Sequence, residues 1–366
     1  MKNKIAKTIG VLGLASLMTT TAHAQLTISG YVEAGFLTGN TEGTLNTVSN
    51  KGLGGETVVT VAGKGKLSNG WEYTASQNFD SDDNLNGRNN ETNAQTSVMS
   101  TRAITLSPMP ALTLVYTYDG VYGGEIARTA VPVVTERVGD LTGNSTISEF
   151  VDVTSGSHAV GFDVNSVLGD KSRLSVVYNP NLDSQTGSSS DRSYSGTGQT
   201  NYVNRATGYS IGYLVPAGPL SLRAGMTKID QKQLNGKDVD SKTAGITYTA
   251  APFAIGIQRT KIDGQKAATT TANAFKDKVD TVAVSYGASK ELTVGATYST
   301  MDRSGATIVA TDAKDLKVYQ FVAAYNLGPV VVSGAYEIAN NRAITNGATT
   351  SGLDATTAKV KVKANF

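Results

Sequence analysis

Cysteine is missing altogether from the 366 residues, and disulfides, thiolate nucleophiles and sulfur-held metals go with it. Histidine is nearly missing. Of the two, His23 falls in the N-terminal leader-like segment, which leaves His158 alone. A single imidazole cannot build a Cys/His metal set. After position 24 there is no apolar run of the ~20 residues that a membrane-crossing helix needs. Excess positive charge is absent too: 32 Lys and Arg stand against 30 Asp and Glu, and Lys2, Lys4 and Lys7 belong to the leader. Without those three, acid exceeds base by one, so nothing in the charge balance suggests a nucleic-acid partner.

Residues 1–24 read as a secretory signal and are set aside from fold reasoning. Three lysines open it, an apolar stretch from Ile9 to Met18 follows, and Ala22-His23-Ala24 supplies an A-x-A cleavage site. Gln25 is the expected mature N-terminus.

What the chain has in quantity is glycine, 39 residues, and tyrosine, 16 residues, set in segments whose apolar and polar residues alternate. A period of two is the strand period. Sixteen such segments run from 26–37 to 356–366, each near the ~9–11 residues with which a tilted strand crosses a bilayer. In the thirteenth segment, for example, Leu292, Val294, Ala296 and Tyr298 oppose Thr293, Thr297 and Ser299. Several apolar faces end in Tyr or Phe, as an interfacial aromatic girdle does. Connections alternate between short turns of Asn, Gly, Pro and Ser, such as 68–70 and 216–219, and long polar stretches. The long ones include 38–55, 80–95 and, longest of all, 119–154. Strict alternation of short and long is the signature of an up-and-down barrel with one rim in the periplasm and the other outside. The expected fold is therefore all-β, a 16-stranded antiparallel transmembrane β-barrel over residues 25–366, with short periplasmic turns and long extracellular loops.

The chain closes on Ala358-Lys359-Val360-Lys361-Val362-Lys363-Ala364-Asn365-Phe366, apolar on one face and basic on the other. In a barrel the apolar face meets lipid and the lysines line a wet lumen. Lys64 and Lys66 form a second inward row, opposite Val59, Val61, Gly63, Gly65 and Leu67. Closure of the barrel puts both rows on one arc, with Glu33 between them, and Arg223 faces inward by its phase.

The leader, the sixteen alternating strands, the long loops and the terminal Phe366 together resemble the general porins of Gram-negative outer membranes, of the beta-proteobacterial trimeric type. The opening strand Leu26-Thr27-Ile28-Ser29-Gly30-Tyr31-Val32-Glu33-Ala34-Gly35 is similar to that family's first strand. The resemblance implies passive diffusion of small hydrophilic solutes and ions, residence in the cell outer membrane, and homotrimers joined through the early strands. It implies contact with outer-membrane lipid and lipopolysaccharide, reading of Phe366 by the barrel-assembly machinery, and a third loop, about 119–154, folded into the lumen as a constriction. Neither a cofactor nor a metal is implied, and no enzyme activity.

That loop carries Asp119, Glu125, Glu136, Asp140, Glu149 and Asp152 against Arg128 and Arg137. Folded inward, its acids would face the basic wall of Lys64, Lys66, Arg223, Lys359, Lys361 and Lys363 across a narrow eyelet. Such a transverse field orders water and disfavours apolar solutes. Two alternatives stay open: a channel with a binding site for one nutrient class, and, in a different class, an outer-membrane barrel enzyme or adhesin. Asp80, Asp82, Asn84 and Glu91 match four positions of a calcium loop, but Leu85 holds the place that needs glycine. Gly63-Lys64-Gly65-Lys66 looks like a phosphate loop only in isolation, because its alternation belongs to a strand.

Overall fold

Side chains on successive strand residues point to opposite sides, so a ribbon with one greasy and one polar face is stable only where each face has its own solvent. Closing such ribbons into a ring removes the unpaired edges as well. The computed structural model of the chain shows this arrangement, describing residues 25–41, 48–83, 98–118, 120–135, 137–138, 141, 150–151, 153, 158–180, 206–231, 238–266, 273–304, 315–342 and 353–366. In order, the strands are β1 (Gln25–Thr41), β2 (Val48–Lys66), β3 (Glu72–Asp83), β4 (Val98–Met109), β5 (Leu112–Tyr118), β6 (His158–Asn165), β7 (Arg173–Asn179) and β8 (Ala206–Ala217). There follow β9 (Leu220–Gln231), β10 (Val239–Ala250), β11 (Phe253–Lys266), β12 (Asn273–Gly287), β13 (Leu292–Ser304), β14 (Asp315–Asn326), β15 (Val330–Arg342) and β16 (Leu353–Asn365). Each pairs antiparallel with its sequence neighbours, and β16 closes on β1.

The faces divide as the alternation demands. On β1, Leu26, Ile28, Val32 and Phe36 are exposed outward while Glu33 and Leu37 are buried. On β16, Val360 and Val362 are exposed, whereas Lys359 between neighbouring walls is only 7% exposed. One rim carries the short turns, where Gly70, Gly218 and Gly328 take positive φ values of 85°, 60° and 83° that a Cβ would oppose. Both described chain ends lie at this rim. The Gly30 N–H donates to the Phe366 carbonyl and the Phe366 N–H to the Gly30 carbonyl, each at 3.0 Å. The final residue therefore completes the seam between the first and last strands.

Two features differ from the pattern in the sequence. β2 begins at Val48 rather than near residue 56, because the β1–β2 hairpin stays paired, from Thr41↔Val48 downward, through the glycine-rich stretch Gly52, Gly54 and Gly55. Residues there lack the greasy and polar alternation that marks a strand crossing lipid. The inner face is also not uniformly polar. Val279, Met301, Leu316, Val318, Ala339 and Ala355 form a buried cluster with Val138 of the long β5–β6 connection. Val177, Ile229, Val239 and Ile262 form another with Val151 and Val153 of the same connection.

Candidate functional site: the constricted lumen

The β5–β6 connection is held by inward-pointing side chains of β7–β14. Just after β5 it makes one 3-10 turn, Gly123–Ala127, fully buried. The Gly123 N–H donates to Ser175 Oγ at 2.6 Å and the Gly124 N–H to Ser210 Oγ at 2.8 Å. Farther along, the Ala130 N–H donates to Gln258 Oε1 at 2.8 Å, while Gln258 Nε2 donates to the Arg128 carbonyl at 2.6 Å. Thr247 Oγ1 donates to the Ala130 carbonyl. Gln320 Nε2 donates to the Arg137 carbonyl at 2.7 Å, and the Val151 N–H to Ser241 Oγ at 3.2 Å. A backbone lying inside a barrel has no ladder of its own, so the wall must satisfy its donors and acceptors.

Glycine makes room for it. A Cβ on Gly212 would lie 2.0 Å from the Gly123 carbonyl oxygen, one on Gly245 2.4 Å from Ala130 Cβ, and one on Gly256 2.8 Å from Pro132 Cδ. Gly225 and Gly295 stand under the same segment. These inward glycines on β8, β9, β10, β11 and β13 form a shallow bed. The start of the connection is clamped by Arg173, which pairs with Asp163 at 2.7 Å and lies over the Tyr122 ring. Burial first, and the Asp163 charge second, push the Tyr122 phenol up from its ordinary value.

Opposite this bed the lumen stays open. A cavity of about 690 Å³ is bordered on the β1–β4 wall by Tyr31, Glu56, Thr60, Asn78 and Asp80, and on the connection by Glu125, Arg128 and Arg137. Tyr31 donates its hydroxyl to Glu56 at 2.8 Å. Arg128 pairs with Glu125 at 2.6 Å. Around the described part of the cavity the wall thus presents Glu56 and Asp80, and the connection presents Glu125 together with Arg128 and Arg137. The reason is register: Glu56 and Asp80 share the inward phase of β2 and β3 with Val58 and Thr60.

The wall lysines point inward but not to one spot. Lys361 pairs with Glu33 at 3.1 Å, the two side chains being 14% and 4% exposed. Lys363 Nζ sits 3.2 Å from the Tyr31 ring centroid, a cation–π contact. Lys359 is buried beside them. Lys64 and Lys66 lie at the turn end of β2, where Lys66 meets Glu72, its direct neighbour on β3, at 3.2 Å. Arg223 is on the far side and donates to the Thr129 carbonyl, so it supports the connection. Glu125 borders the cavity, while Asp119, Glu136 and Asp140 lie outside the described residues. Asn84 and Glu91 of the calcium-like pattern also lie outside them, and Asp80 belongs to β3. His158 faces outward and accepts or donates a 2.7 Å hydrogen bond with Tyr116.

The glycine bed and Glu56 were not picked out from the sequence, and Asp80 was read there only as part of a calcium-like loop. A run of inward-phase glycines at Gly212, Gly225, Gly245, Gly256 and Gly295 was the available signal. It was hidden because glycine also marks turns.

The model of the Gram-negative porin family matches residues 11–343. The chain belongs to that family. Among solved structures, an anion-selective porin from Comamonas acidovorans is similar, with 15% sequence identity, a TM-score of 0.60, and coverage of 94% of this chain and 100% of that one. A mutant of the Rh. blastica porin is similar with 16% identity, a TM-score of 0.57, and coverage of 93% and 100%. Among curated proteins none matches. The porin is an outer-membrane β-barrel channel for passive diffusion, as the family match and the closed sixteen-strand architecture together indicate.

Proposed function

We propose that this porin is a general diffusion channel for small hydrophilic solutes and ions, sieved by size and by a field across the eyelet. The observation that carries this is the 690 Å³ cavity with Glu56 and Asp80 on one side and Arg128 and Arg137 on the other. Carboxylates and guanidinium groups facing each other across a narrow wet gap in a low-dielectric wall orient dipolar solutes and hold water against entry of apolar ones. Much of the charge is internally balanced, since Lys361 is matched by Glu33, Lys66 by Glu72 and Arg128 by Glu125. A balanced eyelet passes both signs of ion with weak preference. The protein is further read as a homotrimer that contacts outer-membrane lipid and lipopolysaccharide, with residues 1–24 removed on export and Phe366 read by the barrel-assembly machinery. The barrel's sixteen-strand architecture and the seam formed by Phe366 support those readings.

Planar-bilayer recording under a salt gradient tests the proposal. The wild type is expected to give ohmic, non-saturating conductance. Glu56→Gln with Asp80→Asn shifts the reversal potential toward anions, and Arg137→Gln shifts it toward cations. Neutralising Lys64, Lys66, Lys361 and Lys363 also shifts it toward cations. Saturable block by a single solute would favour a nutrient-specific channel, absence of conductance would favour a barrel enzyme or adhesin, and an unmoved reversal potential would remove these residues from selection.

A further inference from the structure

Two valines face the wet cavity of the eyelet, where water favours polar side chains. Val58 lies on the inward face of β2, directly opposite Tyr31 on β1 and Asp80 on β3. Val121 stands on the β5–β6 connection and is 61% exposed. Both border the cavity of about 690 Å³. Val121 is held in place. Its carbonyl accepts from Arg173 at 3.3 Å, and the next residue, Tyr122, packs against the buried cluster that contains Val151 and Val153. The chain therefore tucks Tyr122 away and presents Val121 to the lumen.

The charges around these valines are not all open to a solute. Lys361 takes Glu33, and Arg128 takes Glu125. Among the described residues Glu56 and Arg137 form no ion pair. Glu56 is oriented by the Tyr31 hydroxyl at 2.8 Å. Together Glu56 and Asp80 bracket Val58, one two residues before it on β2 and the other directly across on β3. Arg137 borders the same cavity from the connection. Lys363 lies over the Tyr31 ring, so apolar contact falls to the two valines rather than to the ring.

A solute with an ammonium group, a carboxylate and a short apolar branch matches this set. Its ammonium group meets acid on the wall, its carboxylate meets guanidinium on the connection, and its branch meets carbon instead of water. A solute with one charge alone meets attraction from one side and repulsion from the other. We propose that Val58 and Val121 make the eyelet selective for amino acids with apolar side chains over polar ones of the same size. Glu56 and Asp80 face the ammonium group, and Arg137 faces the carboxylate. This rests on the diffusion-channel reading of the same cavity and adds the solute class. The contacts are few and open to water, so the preference is one of passage rate.

Swelling of liposomes that hold the full porin tests it, with L-valine, its near-isostere L-threonine and uncharged erythritol as solutes. Amino-acid rates are read relative to erythritol in the same vesicles. In the wild type valine is expected to enter about threefold faster than threonine, close to the gain from burying one methylene. Val58→Thr with Val121→Thr brings that ratio to about one. Val121→Thr alone, on the connection and not the wall, gives an intermediate ratio and carries the test if the double variant does not form a barrel. Glu56→Gln and Arg137→Gln each slow both amino acids against erythritol, by up to about fivefold as for one exposed ion pair, and keep the ratio. Lys290→Gln, on a turn at the short-turn rim, changes neither reading. Equal wild-type rates for valine and threonine, a ratio that survives loss of both valines, or unchanged amino-acid rates in Glu56→Gln and Arg137→Gln would overturn the proposal, while entry of erythritol still upheld the channel. Failure of erythritol to enter the wild-type vesicles would remove the channel reading and this proposal together.

Discussion

Two arcs of the same wall use their inward positions in different ways. On β16 and β1–β4 the inward side chains are Tyr31, Glu33, Glu56, Thr60, Asn78, Asp80, Lys361 and Lys363, which meet water, the cavity or each other. On β7–β14 they are Ser175, Ser210, Gly212, Gly245, Gly256, Gln258 and Gln320, which meet the backbone of the β5–β6 connection. One arc is an electrostatic surface and the other a seat. The difference teaches that polarity on a lumen wall has two meanings. Charges there act on solutes, whereas small residues and neutral hydrogen-bonding groups hold a second layer of chain in place.

The sharpest break of this comparison comes from filling the seat. Gly212→Val puts carbon against the Gly123 carbonyl, so the connection is expected to shift, with altered single-channel conductance and a loss of stability of about 3 kcal/mol, typical of overpacking. Gly63→Val, on the outward face of β2 with nothing within 4 Å of the new Cβ, is expected to change stability by no more than about 0.5 kcal/mol and to leave conductance alone. Thermal unfolding and bilayer recording read both; equal effects would erase the distinction between the arcs. Gln258→Ala should have the next largest effect, because it strips a buried acceptor from the Ala130 N–H and a donor from the Arg128 carbonyl. A cost of about 2 kcal/mol and noisier open-channel current are expected, and silence in both would mean that the connection is held by packing alone.

The barrel was legible in the sequence because each strand repeats one rule, greasy side out and wet side in, and because short and long connections alternate. Sixteen strands and the closure of the last strand on the first followed from that rule. The eyelet was less legible. Alternation assigns Lys361 and Glu56 to the same side of the wall, but it gives no height, and the pairings Lys361–Glu33 and Tyr31–Glu56 depend on which residues fall opposite one another. The third connection was harder still, since it has no period of its own. Its course is set by the wall, through Gln258, Gln320 and the glycine bed, and that record is spread over six strands between β8 and β14.

The central claim is that adjacent residues of one strand face different solvents. A chain without cysteine allows it to be read cleanly, one thiol at a time, along β2. Thr60→Cys and Lys64→Cys are expected to react with a charged, water-soluble thiol reagent and to lower conductance when they do, while Val59→Cys and Val61→Cys react only with a membrane-partitioning maleimide and leave the current unchanged. Uniform reactivity along the strand, or the opposite alternation, would contradict the account.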